Sequence, residues 1–424
     1  MLSAGDAWRF RGNVRSSGSA HRKAGGPARG AGLRTADGGA TARRLTVTTI
    51  GEEREMARGE EREGGEGHTE TGPAAGRSAD RPARGPGRRD AGRPIRAVQF
   101  GLGPIGQACA RELAGRAGVE LVGGIDVDPE KAGRDLGEVC GLDRRLGLPV
   151  RADAEAALAE LRPDVALHTT TSFLAKVGDQ LEILLGAGVS VVSSTEELFW
   201  PWDRDPAFCE RIDAVAKRAG AAVVGTGVNP GFAMDVLPLS LTGVCTRVER
   251  VVVTRTVDAG RRRLPLRRKV GAGLTEDAFA VRRAAGGFGH IGLEESARAL
   301  AAGLGWPVDR LEETFGPVLA ERRVETPGLD VEAGRVAGIH QTVRVESRGR
   351  ERLVLDLKMY VGAEGSEDRI EIDGTPPLTV RAEGGIFGDT ATVASLVNAV
   401  PLVLAAPPGL RTMLDLPVPR AFGT

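Results

Sequence analysis

From Ile95 onward, short apolar runs alternate with stretches of helical spacing. Ile95 to Phe100, Val119 to Ile125, Asp164 to His168, Val189 to Ser193 and Ala221 to Gly225 have the length and composition of buried strands, and Gln107 to Arg116 has the spacing of a helix. Strands alternating with helices fold as a parallel sheet covered on both faces. Residues 94–235 are therefore expected to form an α/β, Rossmann-type doubly wound domain. Beyond about Asp235 the period changes to two. Val248 to Val257 and Gly338 to Glu346 alternate, and in Leu353 to Tyr360 the residues Leu353, Leu355, Leu357 and Met359 share one face while Asp356 and Lys358 take the other. This predicts an antiparallel or mixed sheet with one wet face, in a second α+β domain over residues 236–389, interrupted by a helical region from Thr275 to Leu319. A last helix, Thr390 to Ala405, is apolar nearly all round and is expected to return, buried, to the first domain with residues 390–424.

Residues 1–93 follow neither pattern. They are rich in glycine and arginine and hold only seven Leu, Ile, Val or Phe, too few to offset the entropy of ordering, so a disordered extension is expected. Charge divides in the same way. The whole chain balances 57 basic against 57 acidic residues, but the extension carries 18 against 12, leaving 39 against 45 in residues 94–424. The folded part thus has no basic surplus for a phosphate backbone, and nucleic acid is not an expected partner. No run reaches the roughly 20 uncharged apolar residues of a bilayer helix, and the first residues lack the order of a secretory signal, so a cytoplasmic protein with no membrane partner is expected. Cys109, Cys140, Cys209 and Cys245 lie far apart and read as free thiols. No side-chain cluster has metal-ligand spacing, so no metal is expected.

The sharpest chemical signal is Gly101-Leu102-Gly103-Pro104-Ile105-Gly106, between the first strand and the first helix. Gly101 permits the tight turn, Gly103 lets backbone approach a pyrophosphate, and Gly106 allows close helix–strand contact, while Pro104 suits the first helical position. Asp126 ends the next strand, where its carboxylate can accept ribose hydroxyls or simply shape the turn before Pro129. An acid there favours NAD over NADP, although Lys131 and Arg134 could receive a 2′-phosphate.

Ligands of such sheets lie beyond the carboxyl ends of the strands. Three of those ends are polar. Thr169 to Ser172 offers Thr170 and Ser172 to a cofactor, or a plain helix cap. Ser193 to Glu197 ends in Glu196 and Glu197, a carboxylate pair suited to binding an ammonium and moving its proton. Ser194 and Glu197 also fit a capping box, which by elimination favours Glu196 as the chemical group. Gly225 to Phe232 presents Asn229, for the nicotinamide amide, for the substrate or for a turn before Pro230. Among the histidines, His168 and His340 read as core or sheet residues. His290, in Gly286 to Gly292, is placed to face a cleft or to close a turn.

The segments Gly101–Gly106, Ser194 to Leu198, Asn229 to Phe232 and Phe288 to Leu293, with Gly384 to Asp389, Val397 to Pro401 and Pro408 to Leu410, occur in a familiar order. From about Arg93 to Thr424 the chain resembles the dihydrodipicolinate reductase-like dehydrogenases, in the 2,4-diaminopentanoate dehydrogenase and native amine dehydrogenase branch. That resemblance implies an NAD(P)-dependent oxidoreductase acting on the C–N bond of a small amine or imine, a homodimer, with a glutamate equivalent to Glu196 or Glu197 holding the amine nitrogen. It also implies a pocket with Asn229, Phe232, His290 and Phe387. Position 387 is Phe where many relatives carry His, so the pocket is expected to be more apolar and the substrate to lack a second amino group. Two alternatives stand beside this reading. A dihydrodipicolinate reductase-type enzyme would need basic groups for a dicarboxylate, for which Arg267, Arg268 and Lys269 are the clustered candidates against a solvated loop. A dinucleotide-sensing protein would keep the fold without turnover.

Overall fold

A computed structural model of the chain describes residues 45–49 and 92–423, Arg263 excepted. Its first sheet has seven strands in the order Val150–Arg151, Val119–Ile125, Ile95–Phe100, Val165–His168, Ser190–Ser193, Ala222–Gly225 and Gly409–Arg411, all parallel. The chain builds outward from Ile95–Phe100 in one direction and then returns to build in the other, so a crevice opens beyond the carboxyl ends of the central strands. The strands Val165–His168, Ser190–Ser193 and Ala222–Gly225 are buried on both faces. Val98, Ala166, Val191 and Val223 pack under the helices Gly178–Gly186 and Pro206–Ala219, while Ala97, Leu167, Val192 and Val224 pack with Leu113 of the helix Pro104–Gly115 and with the helix Gly388–Ala405.

Gly388–Ala405 is, among the described residues, the one helix long and apolar enough by length and composition to cross a bilayer. In the fold its Val393, Leu396, Val397, Val400 and Val403 lie along one stripe against the parallel sheet. Burial all round is not found, because Leu402 and Leu404 on other faces stay partly exposed.

The second sheet is mixed. Its order is Leu45–Thr49, Leu378–Glu383, Glu367–Thr375, Arg247–Asp258, Arg350–Tyr360, Val336–Ser347 and Arg310–Leu319, antiparallel except between Arg247–Asp258 and Arg350–Tyr360. Val251, Val253, Ile339, Val343, Leu353, Leu355, Leu357, Ile370 and Ile372 line its buried face beneath Ala297 and Leu300 of the helix Leu293–Gly303. Asp356 and Lys358 take the wetter face, as alternation requires. Two expectations are corrected. The helical region stops at Gly303, and Arg310–Leu319 is a strand, because its backbone pairs antiparallel with Val336–Ser347 along its whole length, with one register shift between Val336 and Gly338. Within the extension expected to be disordered, Leu45–Thr49 pairs antiparallel with Leu378–Ala382 at the edge of this sheet; the rest of residues 1–91 lies outside the described residues.

Candidate active site

The glycine turn is built from behind. Gly101 has φ +86°, and a Cβ on it would sit 2.7 Å from the Thr169 carbonyl oxygen. A Cβ on Gly106 would collide with the Gly101 carbonyl and lie 2.6 Å from Thr169 Oγ1. The buried Gln99 amide donates to Gly101 O (3.0 Å), Leu167 O (3.1 Å) and Thr169 Oγ1 (2.9 Å), tying two strand ends together. Gly103 differs: nothing stands within 4 Å of where its Cβ would be, and it opens with Pro104 and Ile105 into a cavity of about 390 Å³. Close packing behind and open space in front fit a pyrophosphate at a helix N-terminus. Asp126 sits beside the turn, outside the cavity lining. Its Oδ2 accepts the Leu102 amide (2.6 Å) and its Oδ1 the Asp128 amide (2.9 Å). Lys131 is drawn to Asp126 (3.4 Å) and Asp128 (2.9 Å).

Thr170, Ser172, Glu196, Asn229 and His290 line that same cavity, so these five candidates meet there. The two adjacent glutamates part company. Thr195 Oγ1 donates to Thr171 O (2.8 Å), and the chain then enters the tight helical turn Glu196–Phe199, in which neighbouring side chains point in different directions. Glu196 faces the cavity. Glu197 points inward, where Oε2 accepts the Leu174 amide (2.8 Å) and Oε1 meets Arg204 (3.3 Å). The capping box from Ser194 does not form: Thr195 is the cap residue, its side chain makes no bond to the turn's own amides, and the Glu197 amide donates to Ser172 O (3.2 Å). Glu197 is thus corrected from candidate acid–base group to anchor. Burial pushes the Glu196 carboxyl above the usual carboxylate range, against the opposing pull of the Lys269 ammonium and the Ser172 hydroxyl.

Asn229 stands on a loop held by the buried Asp235, which accepts the Gly231 amide (2.9 Å), the Val236 amide (2.6 Å) and the Ser296 hydroxyl (2.7 Å). His290 is clasped by Gln341, which accepts its backbone N–H (3.3 Å) and donates to its carbonyl (3.0 Å). Burial, together with Lys269 and Arg255, lowers its pKa to about 3, so the imidazole is neutral, and its buried Nε2 has no hydrogen-bond partner among the described residues. Two expected pocket residues lie elsewhere. Phe232 packs into the core of the parallel sheet. Phe387 lies behind Arg262, whose guanidinium covers its ring at 5.2 Å and pairs with Asp389 (2.8 Å) at the cavity wall.

Two cavity residues, Arg255 and Arg262, escaped the sequence reading, and a third, Lys269, is named there only for the dicarboxylate alternative. Arg255 and Arg262 line the cavity, with Arg255 buried against Asp368 (2.6 Å). Lys269, expected in a solvated loop, ends the short helix Leu264–Lys269 at the cavity, while Arg267 turns inward to Thr326 Oγ1 (2.8 Å) and Pro327 O (2.7 Å). One signal was available: Arg255 follows Val251 and Val253 on the buried face of its strand, where a charge needs a reason.

With this geometry the comparisons become specific. The model of the 2,4-diaminopentanoate dehydrogenase C-terminal domain matches residues 232–424. The solved amine dehydrogenase of Mycobacterium smegmatis is 30% identical and superposes with a TM-score of 0.69, over 78% of this chain and 98% of that one. The chain belongs to the 2,4-diaminopentanoate and amine dehydrogenase family. Two curated members agree: the 2,4-diaminopentanoate dehydrogenase of Acetoanaerobium sticklandii is 29% identical over 77% of this chain and 95% of its own, and the amine dehydrogenase of Streptomyces virginiae is 26% identical over 78% and 98%.

Proposed function

We propose that this chain is a nicotinamide dinucleotide-dependent dehydrogenase that oxidatively deaminates a small amine or reduces the corresponding imine. One observation carries the reading: the Glu196 carboxylate and the open face of the glycine turn, Gly103 to Ile105, line one cavity. When bound, the cofactor exchanges a hydride with the carbon bearing the nitrogen. Gly103, Pro104 and Ile105 would hold its pyrophosphate, and Thr170 and Ser172 its nearer sugar. Glu196 binds the substrate nitrogen and takes its proton, a role suited to a carboxyl whose affinity for protons is raised by burial. Asn229, fixed by Ser296 and Asp235, orients the substrate, and neutral His290 offers Nε2 as a hydrogen-bond partner without adding charge. Arg262 closes the wall over Phe387 and, with Leu266 and Met359, narrows the access of water.

NAD is the cofactor this arrangement favours. Asp126 stands beside the turn with a carboxylate that repels a 2′-phosphate, and Lys131 is already committed to Asp126 and Asp128. A dicarboxylate imine, as in dihydrodipicolinate reductases, fits less well: Arg255 and Arg262 are neutralised by Asp368 and Asp389, leaving Lys269, which faces the Glu196 carboxyl, as the cation of the lining without an ion pair among the described residues. The test is NADH formation across a panel of amines, diamines and amino acids. Turnover of an amine supports the reading, and NADH binding without turnover of any of them favours the sensing alternative.

A further inference from the structure

We infer that Arg204 is a positioning residue, whose guanidinium joins Glu197 to Glu295 and so holds the turn bearing Glu196 against the segment bearing His290. The inference rests on the assignment of Glu196 above. Arg204 lies beyond the turn Glu196–Phe199, exposed, and its guanidinium reaches in two directions. One nitrogen meets Glu197 Oε1 at 3.3 Å. Nε and Nη2 both donate to Glu295 Oε1, at 2.9 and 2.6 Å. Glu197 in turn accepts the Leu174 amide, so the bridge also reaches the loop that carries Ser172.

Glu295 stands in the first turn of the helix Leu293–Gly303. That helix begins at Gly292, against the active site itself: a Cβ on Gly292 would crowd the Pro230 ring, with Cγ at 2.7 Å, and lie 3.2 Å from Glu196 Cβ. His290 is two residues upstream. The bridge therefore spans two chain segments far apart in sequence just where they carry the proton-accepting group and its neutral neighbour. Its chemistry is demanding, because Glu197 and Glu295 are both buried and, among the described residues, Arg204 is the cation paired with each. Arg298 is engaged with Glu294 (2.8 Å) and Asp203 (3.7 Å) beside them. Two buried carboxylates without their counter-charge would separate, and the separation would move Glu196 relative to His290.

The experiment compares wild type, Arg204→Met, Arg204→Lys and Glu196→Gln by amide hydrogen exchange and by steady-state kinetics with an amine that wild type turns over. In Arg204→Met, exchange is expected to rise in residues 194–200 and 288–296, and besides them only in the 172–176 loop, with kcat down by about ten- to a hundredfold, NADH affinity unchanged within about twofold, and Arg204→Lys restoring most of kcat. Unaltered exchange in those two segments, a uniform rise along the chain, or a local rise with full kcat would each overturn the inference. Exchange alone decides it if no amine is turned over. Full turnover in Glu196→Gln would instead defeat the assignment of Glu196, leaving the exchange result to stand separately.

Discussion

The two halves of the active site are made in opposite ways. On the parallel-sheet side each contributing residue follows directly from a strand: Gly103 after Ile95–Phe100, Thr170 and Ser172 after Val165–His168, Glu196 after Ser190–Ser193, Asn229 after Ala222–Gly225. On the mixed-sheet side the contributors are Arg255 in mid-strand, Arg262 and Lys269 around a short helix, and His290 in a glycine-rich loop. The first half is a consequence of topology, since a doubly wound sheet presents the residue after every central strand to one crevice. The second half owes its place to tertiary packing. The proposed proton-accepting group therefore sits where backbone architecture fixes position, and the cations around it come from the half placed by tertiary packing.

The largest expected effect tests the first half. Glu196→Gln keeps the shape of the side chain and removes its capacity to accept a proton, so kcat should fall about 10²- to 10⁴-fold while NADH affinity, measured by fluorescence titration, stays near wild type. A comparable loss from Glu197→Gln without loss of stability would reverse the assignment, because Glu197 faces Leu174 and Arg204 and should act through packing. Next comes the second half. Arg255→Met strands Asp368 in the interior and should cost about 3–5 kcal/mol in denaturant unfolding, the penalty of a buried charge left unpaired. A loss under about 1 kcal/mol would mean that the pair is hydrated.

The same asymmetry governs what the sequence revealed. The alternation of strands and helices, the glycine turn and the polar strand ends were legible because each is local: a few consecutive residues carry both the element and the group it presents. The choice between Glu196 and Glu197 was not, since it depends on the direction in which a tight turn begins after Thr195, and that is set by Thr171, Ser172 and Leu174 from another strand end. Phe387 and Phe232 misled for a similar reason. An aromatic ring near a motif is equally suited to a pocket or to a core, and here Arg262 and the parallel-sheet core claim them. Lys269 was read as solvated because nothing in Arg267-Arg268-Lys269 says which of three cations the fold will turn inward.

A smaller effect concerns the cofactor. Asp126→Ser should lower the preference for NADH over NADPH by roughly tenfold in paired titrations, by removing the carboxylate that opposes a 2′-phosphate and freeing Lys131 from one of its two partners. An unchanged ratio would confine Asp126 to its bond with the Leu102 amide.

The smallest effect tests whether the mixed-sheet half tunes the parallel-sheet half. Burial raises the proton affinity of Glu196, and the Lys269 ammonium opposes that rise. Glu196 must be ionised to accept a proton, so turnover is lost as pH falls through its pKa, and that limb should lie above the ordinary carboxylate range. In Lys269→Met the opposing charge is gone, the pKa rises further, and the acid limb of the kcat profile should move to higher pH, with turnover at neutral pH reduced by a few-fold at most. The sign is the informative part. A limb displaced to lower pH would mean that Lys269 acts on the substrate and not on Glu196, and an unmoved limb would mean that the mixed-sheet half shapes the cavity without setting its proton chemistry.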